Sequence, residues 1–313
     1  MNSLDIALSS ITFLTRNEKI LLKNNLDSLS ALAVLSSKDI SLLIGREIKT
    51  KCWNGKVTAA LAEKSLSIME SQGIEAVLYN SSEYPELLKQ INDAPYALFF
   101  RGNLKAVTEK QCVSVVGTRR ICRICAEAAF DFAKTAAASD FCVVSGLAFG
   151  ADCFAHKGAL SAGVKSATCA VIPSGIDTIV PYSHKALAGV ILSNGGCVLS
   201  EYIPGTPAET WRFVQRNRII AALSRSTVVI QAPEGSGALI TADFAIDFNR
   251  ELMFHKSCFC AQALKVKAGI SENKKLRNAA SYIQDGAPVI ENFADYVSVL
   301  KDEPGKHSCT ITI

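Results

Sequence analysis

The chain has 313 residues, of which 49% are hydrophobic, and it carries a formal net charge of +4. This composition can bury a large core, and the charge is lower than that of most proteins that wrap duplex DNA, although a local basic cluster can still bind a phosphate backbone. The apolar runs are too short to span a membrane and the first residues lack a signal-peptide pattern, so we expect a soluble, cytoplasmic protein.

The spacing of apolar residues divides the chain into a helical part and an α/β part. Residues 1–70 predict a small domain of short helices, because leucine and isoleucine recur there mostly three and four positions apart. Residues 71–110 predict a connector that leads into the sheet. Residues 111–300 predict a Rossmann-like domain with a mainly parallel sheet, and residues 301–313 a C-terminal tail. The predicted strands are Cys112–Val116, Phe141–Val144, Ala167–Ile172, Cys197–Leu199, Thr227–Gln231 and Leu252–Phe254.

Most of these predicted strands end in glycine-rich or polar loops. Because parallel strands place their carboxyl ends at one edge of a sheet, these loops should line a common cleft. In the first loop, Gly117 allows close backbone approach, while Arg119 and Arg120 add positive charge where a helix start offers free N–H groups to an anion. A solvated arginine pair remains the alternative. The loops are GTR at 117–119, SGLAFGAD at 145–152, PSGID at 173–177 and EGSG at 234–237.

A second basic segment is FVQRNRIIAAL, residues 213–223. We expect Arg216, Asn217 and Arg218 at the start of a helix, where the two arginines could bracket a phosphodiester from two sides. Arginines that only tie loops to acidic residues are the alternative interpretation.

Familiar cofactor and metal motifs are missing from the sequence. The first loop is not G-x-G-x-x-G, the second strand ends at Ser145 where a ribose-binding acid would be expected, and no phosphate loop of the ATPase type occurs. Neither the C-x-x-C of Cys122 and Cys125 nor the C-x-C of Cys258 and Cys260 provides four ligands at a familiar spacing. We therefore expect free cysteines, no cofactor and no metal.

Several long motifs, taken in order, resemble the DNA-processing protein A family (DprA, also called Smf). The resemblance covers about residues 80–255 and weakens through 286–297. The motifs are SVVGTRR, VVSGLAFGADCFAHKGAL, IPSGIDTIVPYSH, SEYIPGTPAETWRFVQRNRIIAALS and GSGALITADFA, and EYPELLKQINDAPYALFFRGNL is similar to the family's approach to the sheet.

This resemblance implies an extended Rossmann-like domain preceded by a small helical (SAM-like) domain. It also implies a protein that binds and protects single-stranded DNA and helps to load the RecA recombinase during natural transformation, commonly as a homodimer and without a catalytic step. By motif match, the DNA-contacting residues would be Gly117, Thr118, Arg119, Gly146, Arg216, Asn217, Arg218, Gly235, Ser236 and Gly237. Phe149, Trp211 and Phe213 lie in or near the same loops and could stack on bases, although packing is the more ordinary role.

The chain departs from the family pattern at several positions. Val180 stands where a tyrosine is usual, Val214 replaces a proline and Ala238 replaces a serine, but the arginines are kept. After Phe254 the usual V-P-G is replaced by HKSCFCAQALKVKAGISENKK, which puts the last strand and its loop in doubt. From its length we expect no winged-helix tail of the kind that some members carry.

Two other functions remain open from the sequence. A nucleotide phosphoribohydrolase of the LOG type would need a carboxylate in the cleft, but its P-G-G-x-G-T-x-x-E motif is replaced here by PEGSGALIT at 233–241. If the chain were such an enzyme, Asp152, Asp177 and Glu201 would be the candidates, although helix capping and loop bonding are more ordinary roles. A protein scaffold without DNA binding is the third possibility, and the retained arginines oppose it.

Overall fold

A mixed nine-stranded sheet forms the centre of the protein, whose structure, a computed structural model, describes residues 1–50, 53–266 and 278–301. The strand order across the sheet is β1-β2-β6-β5-β4-β3-β7-β8-β9. The strands are β1 Glu75–Leu78, β2 Ala97–Gly102, β3 Gln111–Val116, β4 Phe141–Ser145, β5 Thr168–Val171, β6 Cys197–Ser200, β7 Ser226–Val229, β8 Glu251–His255 and β9 Val289–Ile290.

Helices precede the sheet and connect its strands. The N-terminal helices are α1 Ser3–Ser10, α2 Arg16–Asn25, α3 Leu29–Val34, α4 Ser37–Ile44 and α5 Gly55–Gln72. The helices that follow are α6 Glu86–Lys89, α7 Lys105–Thr108, α8 Arg123–Ala138, α9 Ala151–Ser161, α10 Lys185–Ser193, α11 Thr210–Ala222, α12 Gly237–Asp247, α13 Ala261–Leu264, α14 Ala279–Gln284 and α15 Phe293–Lys301.

The central strands are parallel and buried on both faces, as their continuous apolar sequences predict. β3 pairs with β4 in the register Cys112 to Cys142 and with β7 in the register Val115 to Val228. From β3 the chain winds through β4, β5 and β6 in one direction, and from β7 it winds through β8 and β9 in the other. This doubly wound arrangement confirms the predicted Rossmann-like, mainly parallel α/β fold, and it places a topological switch point between β3 and β7.

Two antiparallel strands extend the sheet beyond β6. β2 pairs with β6, with Phe99 opposite Ser200, and β1 pairs with β2. The sheet therefore includes two strands from residues 71–110, which we expected to lie before it. The domain boundaries given above stay predictions.

The first four N-terminal helices are short because capping residues interrupt them at intervals, whereas α5 runs for 18 residues. Asn2, Thr15 and Ser36 each form a reciprocal capping box, and Gly45 and Gly73 end α4 and α5 with left-handed backbone. The helical part also contacts the sheet domain directly. The Tyr96 hydroxyl lies 3.0 Å from Asp5 Oδ1, and Ser65 Oγ donates to the Pro204 carbonyl at 2.7 Å.

The segment after Phe254 forms regular structure as far as residue 266. β8 lies between β7 and β9, a 3-10 turn follows at Lys256–Phe259, and α13 comes next. The remainder of the uncertain segment, residues 267–277, lies outside the described residues, as does nearly all of the predicted tail at 301–313. Among the helices described, none combines the length and the apolar character needed to cross a membrane.

Candidate nucleic-acid interface

The loops after β3 and β7 meet at the topological switch point. The Thr118 N–H donates to the Gln231 carbonyl at 2.7 Å, and this hydrogen bond joins the two loops directly. Crevices at the carboxyl ends of strands beside such a switch point are the usual ligand sites of open α/β sheets. The fold therefore places the GTR loop where a ligand would bind.

The loop after β4 packs closely against the loop after β3. The Ala151 N–H donates to the Thr118 carbonyl at 3.2 Å. Gly150 has a φ of +75°, and a Cβ on it would lie 2.2 Å from the Thr118 oxygen. Gly117 is equally confined, because its Cβ would lie 2.6 Å from the Cβ of Ala151. Both glycines are thus required for the two loops to approach each other.

Gly146 provides the space in which the guanidinium of Arg216 lies. A Cβ on Gly146 would lie 1.5 Å from Arg216 Nη1 and 2.6 Å from Asp152 Oδ2. The Asp152 carboxylate accepts hydrogen bonds from the N–H groups of Gly146, at 3.1 Å, and Ala148, at 3.3 Å. A loop glycine, a helix carboxylate and an arginine from α11 are therefore assembled into one cluster.

Arg216 is buried, yet much of its hydrogen-bonding capacity is unused. Its exposed fraction is 3%, and within the described part of the chain Nε and Nη1 have no hydrogen-bond partner. Burial lowers the pKa of Arg216 to about 10, the charge of Asp152 opposes that shift, and the nearby charge of Arg119 adds to it. A buried guanidinium with free donors is costly unless an anion satisfies it, and this arrangement is typical of a functional site.

Arg119 provides a second, exposed guanidinium beside Arg216. Its Cζ lies 4.9 Å from the centre of the half-buried Phe213 ring. Phe213 is on the first turn of α11, so α11 holds Arg216 directly and supports Arg119 through this cation–π contact. The edge of the sheet consequently presents two positive groups of different exposure.

The remaining predicted residues on this edge come from α11 and the loop before α12. Asn217 Nδ2 donates to the Gly237 carbonyl at 3.4 Å. Ser236 caps α12 by accepting from the Ala238 N–H at 3.3 Å, and Gly235 adopts a φ of +77°. A Cβ on Gly237 would meet no atom within 4 Å. The R-N-R segment and the G-S-G loop are thus neighbours, as the motif match predicts.

Arg218 lies on the other side of α11. Its Nε is 3.0 Å from Asp93 Oδ2, and its Nη2 is paired with Glu201 Oε2. The expectation of a helix start is wrong, because α11 begins six residues before Arg216. Two residues within a helix are separated by about 200° around its axis, so the two arginines project from opposite faces. Arg218 lines a cavity of about 670 Å³ between the N-terminal helices and α11.

The carboxylates that an enzyme would need have structural partners in the described residues. Asp152 holds the loop after β4, as described above, and Glu201 pairs with Arg218. Asp177 Oδ1 accepts from the Gly205 N–H at 2.8 Å. Burial raises the pKa of both Asp152 and Glu201, and the charges of Arg216 and Arg218, respectively, oppose the rise.

Exposed aromatic side chains lie at this edge and also on the Arg218 side of α11, where Trp211 lines the cavity described above. Phe149 is 50% exposed and packs edge-on against His184, with ring centres 4.9 Å apart. Trp211 is 45% exposed, and the Arg212 guanidinium lies 4.9 Å from its ring. Tyr182, which the sequence reasoning did not single out, is 79% exposed. Tyr182 lies within the IPSGIDTIVPYSH motif, residues 172–184, but the sequence alone did not predict its exposure.

Comparison with known sequences identifies the family. The profile of the DNA recombination-mediator protein A family matches residues 75–301. The chain belongs to this family. Among its curated relatives, Protein Smf of Borreliella burgdorferi is 30% identical over 253 residues, which are 81% of this chain and 79% of that protein. DNA processing protein DprA of Bacillus subtilis is 34% identical and is matched over 62% of its own length. Protein Smf of Escherichia coli is 36% identical and is matched over 50% of its own length.

Solved structures of family members share the fold. The crystal structure of DNA processing protein A from Streptococcus pneumoniae has a TM-score of 0.72 and 27% identity, and the match covers 98% of this chain and 99% of that one. A structure of DNA processing protein A from Helicobacter pylori, which addresses its single-stranded DNA binding mode, has a TM-score of 0.59 and 22% identity over 73% of this chain and 96% of that one. The helical N-terminal part and the sheet therefore belong to one shared architecture.

Proposed function

We propose that this family member is a DNA-processing protein that binds single-stranded DNA at the carboxyl edge of its sheet. The observation that carries the proposal is the buried Arg216 guanidinium, whose Nε and Nη1 have no hydrogen-bond partner among the described residues. Burial, together with the nearby charge of Arg119, lowers the pKa of Arg216 to about 10. A phosphate that enters the cleft would provide the missing acceptor and would relieve the repulsion between the two cations.

The proposed contacts are made to the DNA backbone. Arg119 and Arg216 donate to phosphate oxygens, while Gly117, Thr118 and Gly146 belong to the closely packed loops that form the floor of the cleft. Asn217 and residues 235–237 form the neighbouring wall. Arg218 lies on the face of α11 away from the cleft, and its ion pair with Glu201 holds the helix in position. Because phosphate contacts carry no base information, binding is tolerant of sequence and weakened by salt.

The preference for single strands comes from an exposed aromatic ring. Phe149 is supported on one side by His184 and exposed on the other, so it can stack on an unpaired base. Trp211 is not part of this surface, because it lines the cavity that contains Arg218. Duplex DNA keeps its bases stacked inside and gains nothing from the Phe149 ring.

The wider role follows from the family and is part of the proposal. A protein named for DNA processing that holds an incoming single strand would protect it in the cytoplasm during natural transformation and would help to load the RecA recombinase onto it. A homodimer would join two clefts along one strand. No chemical step is needed for this role. We infer that Asp152, Asp177 and Glu201 stabilise the structure and do not act as catalysts.

The test is fluorescence anisotropy of labelled oligo-dT and of a matched duplex at two salt concentrations. We expect oligo-dT to bind more tightly than the duplex and both affinities to fall as salt increases. If neither ligand binds at low salt, the proposal fails, and hydrolysis of nucleoside monophosphates becomes the assay to perform.

A further inference from the structure

Two cysteine motifs that lie far apart in the sequence meet in the structure. The sulfur atoms of Cys122, Cys125 and Cys260 all lie within 4.8 Å of one another. None of these cysteines forms a disulfide. Each motif alone has too few ligands for a metal ion, but the fold combines them into one cluster of three thiols.

Hydrogen bonds fix the backbone on both sides of this cluster. Gln231 accepts from the Cys122 N–H at 2.9 Å through Oε1 and donates to the Ala263 carbonyl at 3.4 Å through Nε2. Cys125 Sγ lies 3.2 Å from the Ser257 carbonyl oxygen. Gln231, in the loop after β7, thus ties the start of α8 to the segment that contains Cys260, and the three sulfurs are held together by the fold.

The chemistry of the cluster favours a thiophilic ion. Thiolates are the ligands that zinc and similar soft or borderline ions prefer, and a tetrahedral zinc site with Zn–S bonds of about 2.3 Å separates its sulfurs by about 3.8 Å. The observed separations of up to 4.8 Å need an adjustment of about 1 Å or less. Side-chain rotation can supply that adjustment, with Cys125 giving up its contact to Ser257.

We propose that Cys122, Cys125 and Cys260 bind one Zn²⁺ ion or a chemically similar ion through their three sulfurs. Cys125 is buried, whereas Cys122 and Cys260 are partly exposed, so a water molecule can take the fourth position from the solvent side. The ion would link the start of α8, three residues after Arg119, to the segment after β8. This inference is independent of the proposed DNA binding.

The test is titration of the full-length, reduced protein with Co²⁺ alone. We expect one ion per chain, with the near-ultraviolet absorption of thiolate-to-cobalt charge transfer and displacement by Zn²⁺. A background in which Cys52 and Cys309 are replaced by alanine removes two competing thiols from outside the described residues. Cys122→Ala and Cys260→Ala should abolish the absorption in this background. Cys258→Ala is the matched control, because this neighbouring cysteine is outside the cluster, and it should keep the absorption.

Thermal unfolding of each variant verifies that it is folded, and Zn²⁺ should raise the midpoint of the parent but not of the Cys122→Ala variant. The proposal is overturned if the folded, reduced parent takes up no cobalt, or if the absorption survives in both Cys122→Ala and Cys260→Ala.

Discussion

The guanidinium of Arg216 lies where a side chain on residue 146 would be, because a Cβ built on Gly146 would lie 1.5 Å from Arg216 Nη1. Glycine at this position therefore determines where the buried cation sits. The relationship links the loop after β4 to α11 and makes the geometry of the cleft sensitive to one methyl group.

Gly146→Ala should displace the Arg216 guanidinium and weaken binding of oligo-dT by about ten- to a hundredfold, which corresponds to the loss of one or two charge-assisted hydrogen bonds. Fluorescence anisotropy measures the change. Gly189→Ala is the control, because a Cβ on Gly189 in α10 would meet no atom within 4 Å. Equal affinities for the two variants would contradict the assigned role of Gly146.

Phe149→Ala should weaken binding of oligo-dT by about 1–3 kcal/mol if the ring stacks on one base. Binding of the duplex should change little, because its bases are not available to the ring. Val34→Ala is the control, since it truncates an exposed apolar side chain in the N-terminal helices. A loss of affinity that is the same for oligo-dT and duplex would exclude stacking by Phe149.

Arg218→Met should lower the free energy of unfolding by about 3–5 kcal/mol, because it leaves the buried Glu201 carboxylate without its partner. Adding Glu201→Gln should restore much of this loss, since the uncompensated charge is removed. Urea unfolding of the two single variants and the double variant measures the coupling. Additive losses in the double variant would show that the ion pair is not the source of the effect.

His156 should make stability dependent on pH. Its Nδ1 lies 2.7 Å from Thr168 Oγ1, which itself donates to the Val143 carbonyl, so Nδ1 carries the proton and the buried Nε2 has no partner among the described residues. Burial and the nearby charges of His184 and Arg216 lower its pKa to about 3. Below pH 6.5, His156 is therefore protonated in the unfolded chain but stays neutral in the folded protein. The free energy of unfolding consequently falls as the pH is lowered.

When the pH is lowered from 7 to 5, the protonation of this histidine in the unfolded chain should lower the free energy of unfolding by about 2 kcal/mol. Urea unfolding at both pH values should show a smaller loss for His156→Gln than for the parent, because glutamine keeps a donor for Thr168 but does not titrate. An identical pH dependence of the two proteins would show that His156 titrates normally in the folded state.

Local sequence patterns predicted the central sheet well because they act over short distances. The apolar runs Cys112–Val116 and Phe141–Val144 predicted buried strands, and each observed strand is longer than its prediction by one residue at one end. The glycines of the loops were also predictable, since close approach of two backbones leaves few other choices. The short antiparallel strands β1 and β2 were harder to place, because β2 joins the sheet through β6, which lies about a hundred residues away, and β1 joins it only through β2.

The residues that sequence reasoning placed least well depend on long-range contacts. Arg216 and Arg218 are only two residues apart in the motif, but the fold directs one into the cleft and the other to Glu201 and Asp93. Five strands, β4 to β8, lie between Cys122 and Cys260 along the chain. Only the pairing of β3, β7 and β8 brings the two cysteines together. A single sequence does not encode such proximities in any local pattern.

The measurement that most directly tests the proposed interface is the salt-dependent affinity of Arg119→Gln for oligo-dT, compared with Arg225→Gln. Arg225 is exposed and precedes β7, at the opposite edge of the parallel strands. We predict that Arg119→Gln lowers the affinity by about tenfold and reduces the slope of log K against log salt by about 0.7, the value of one phosphate contact on a single strand, while Arg225→Gln leaves both unchanged. If the two variants behave alike, the carboxyl edge of the sheet is not where this protein binds DNA.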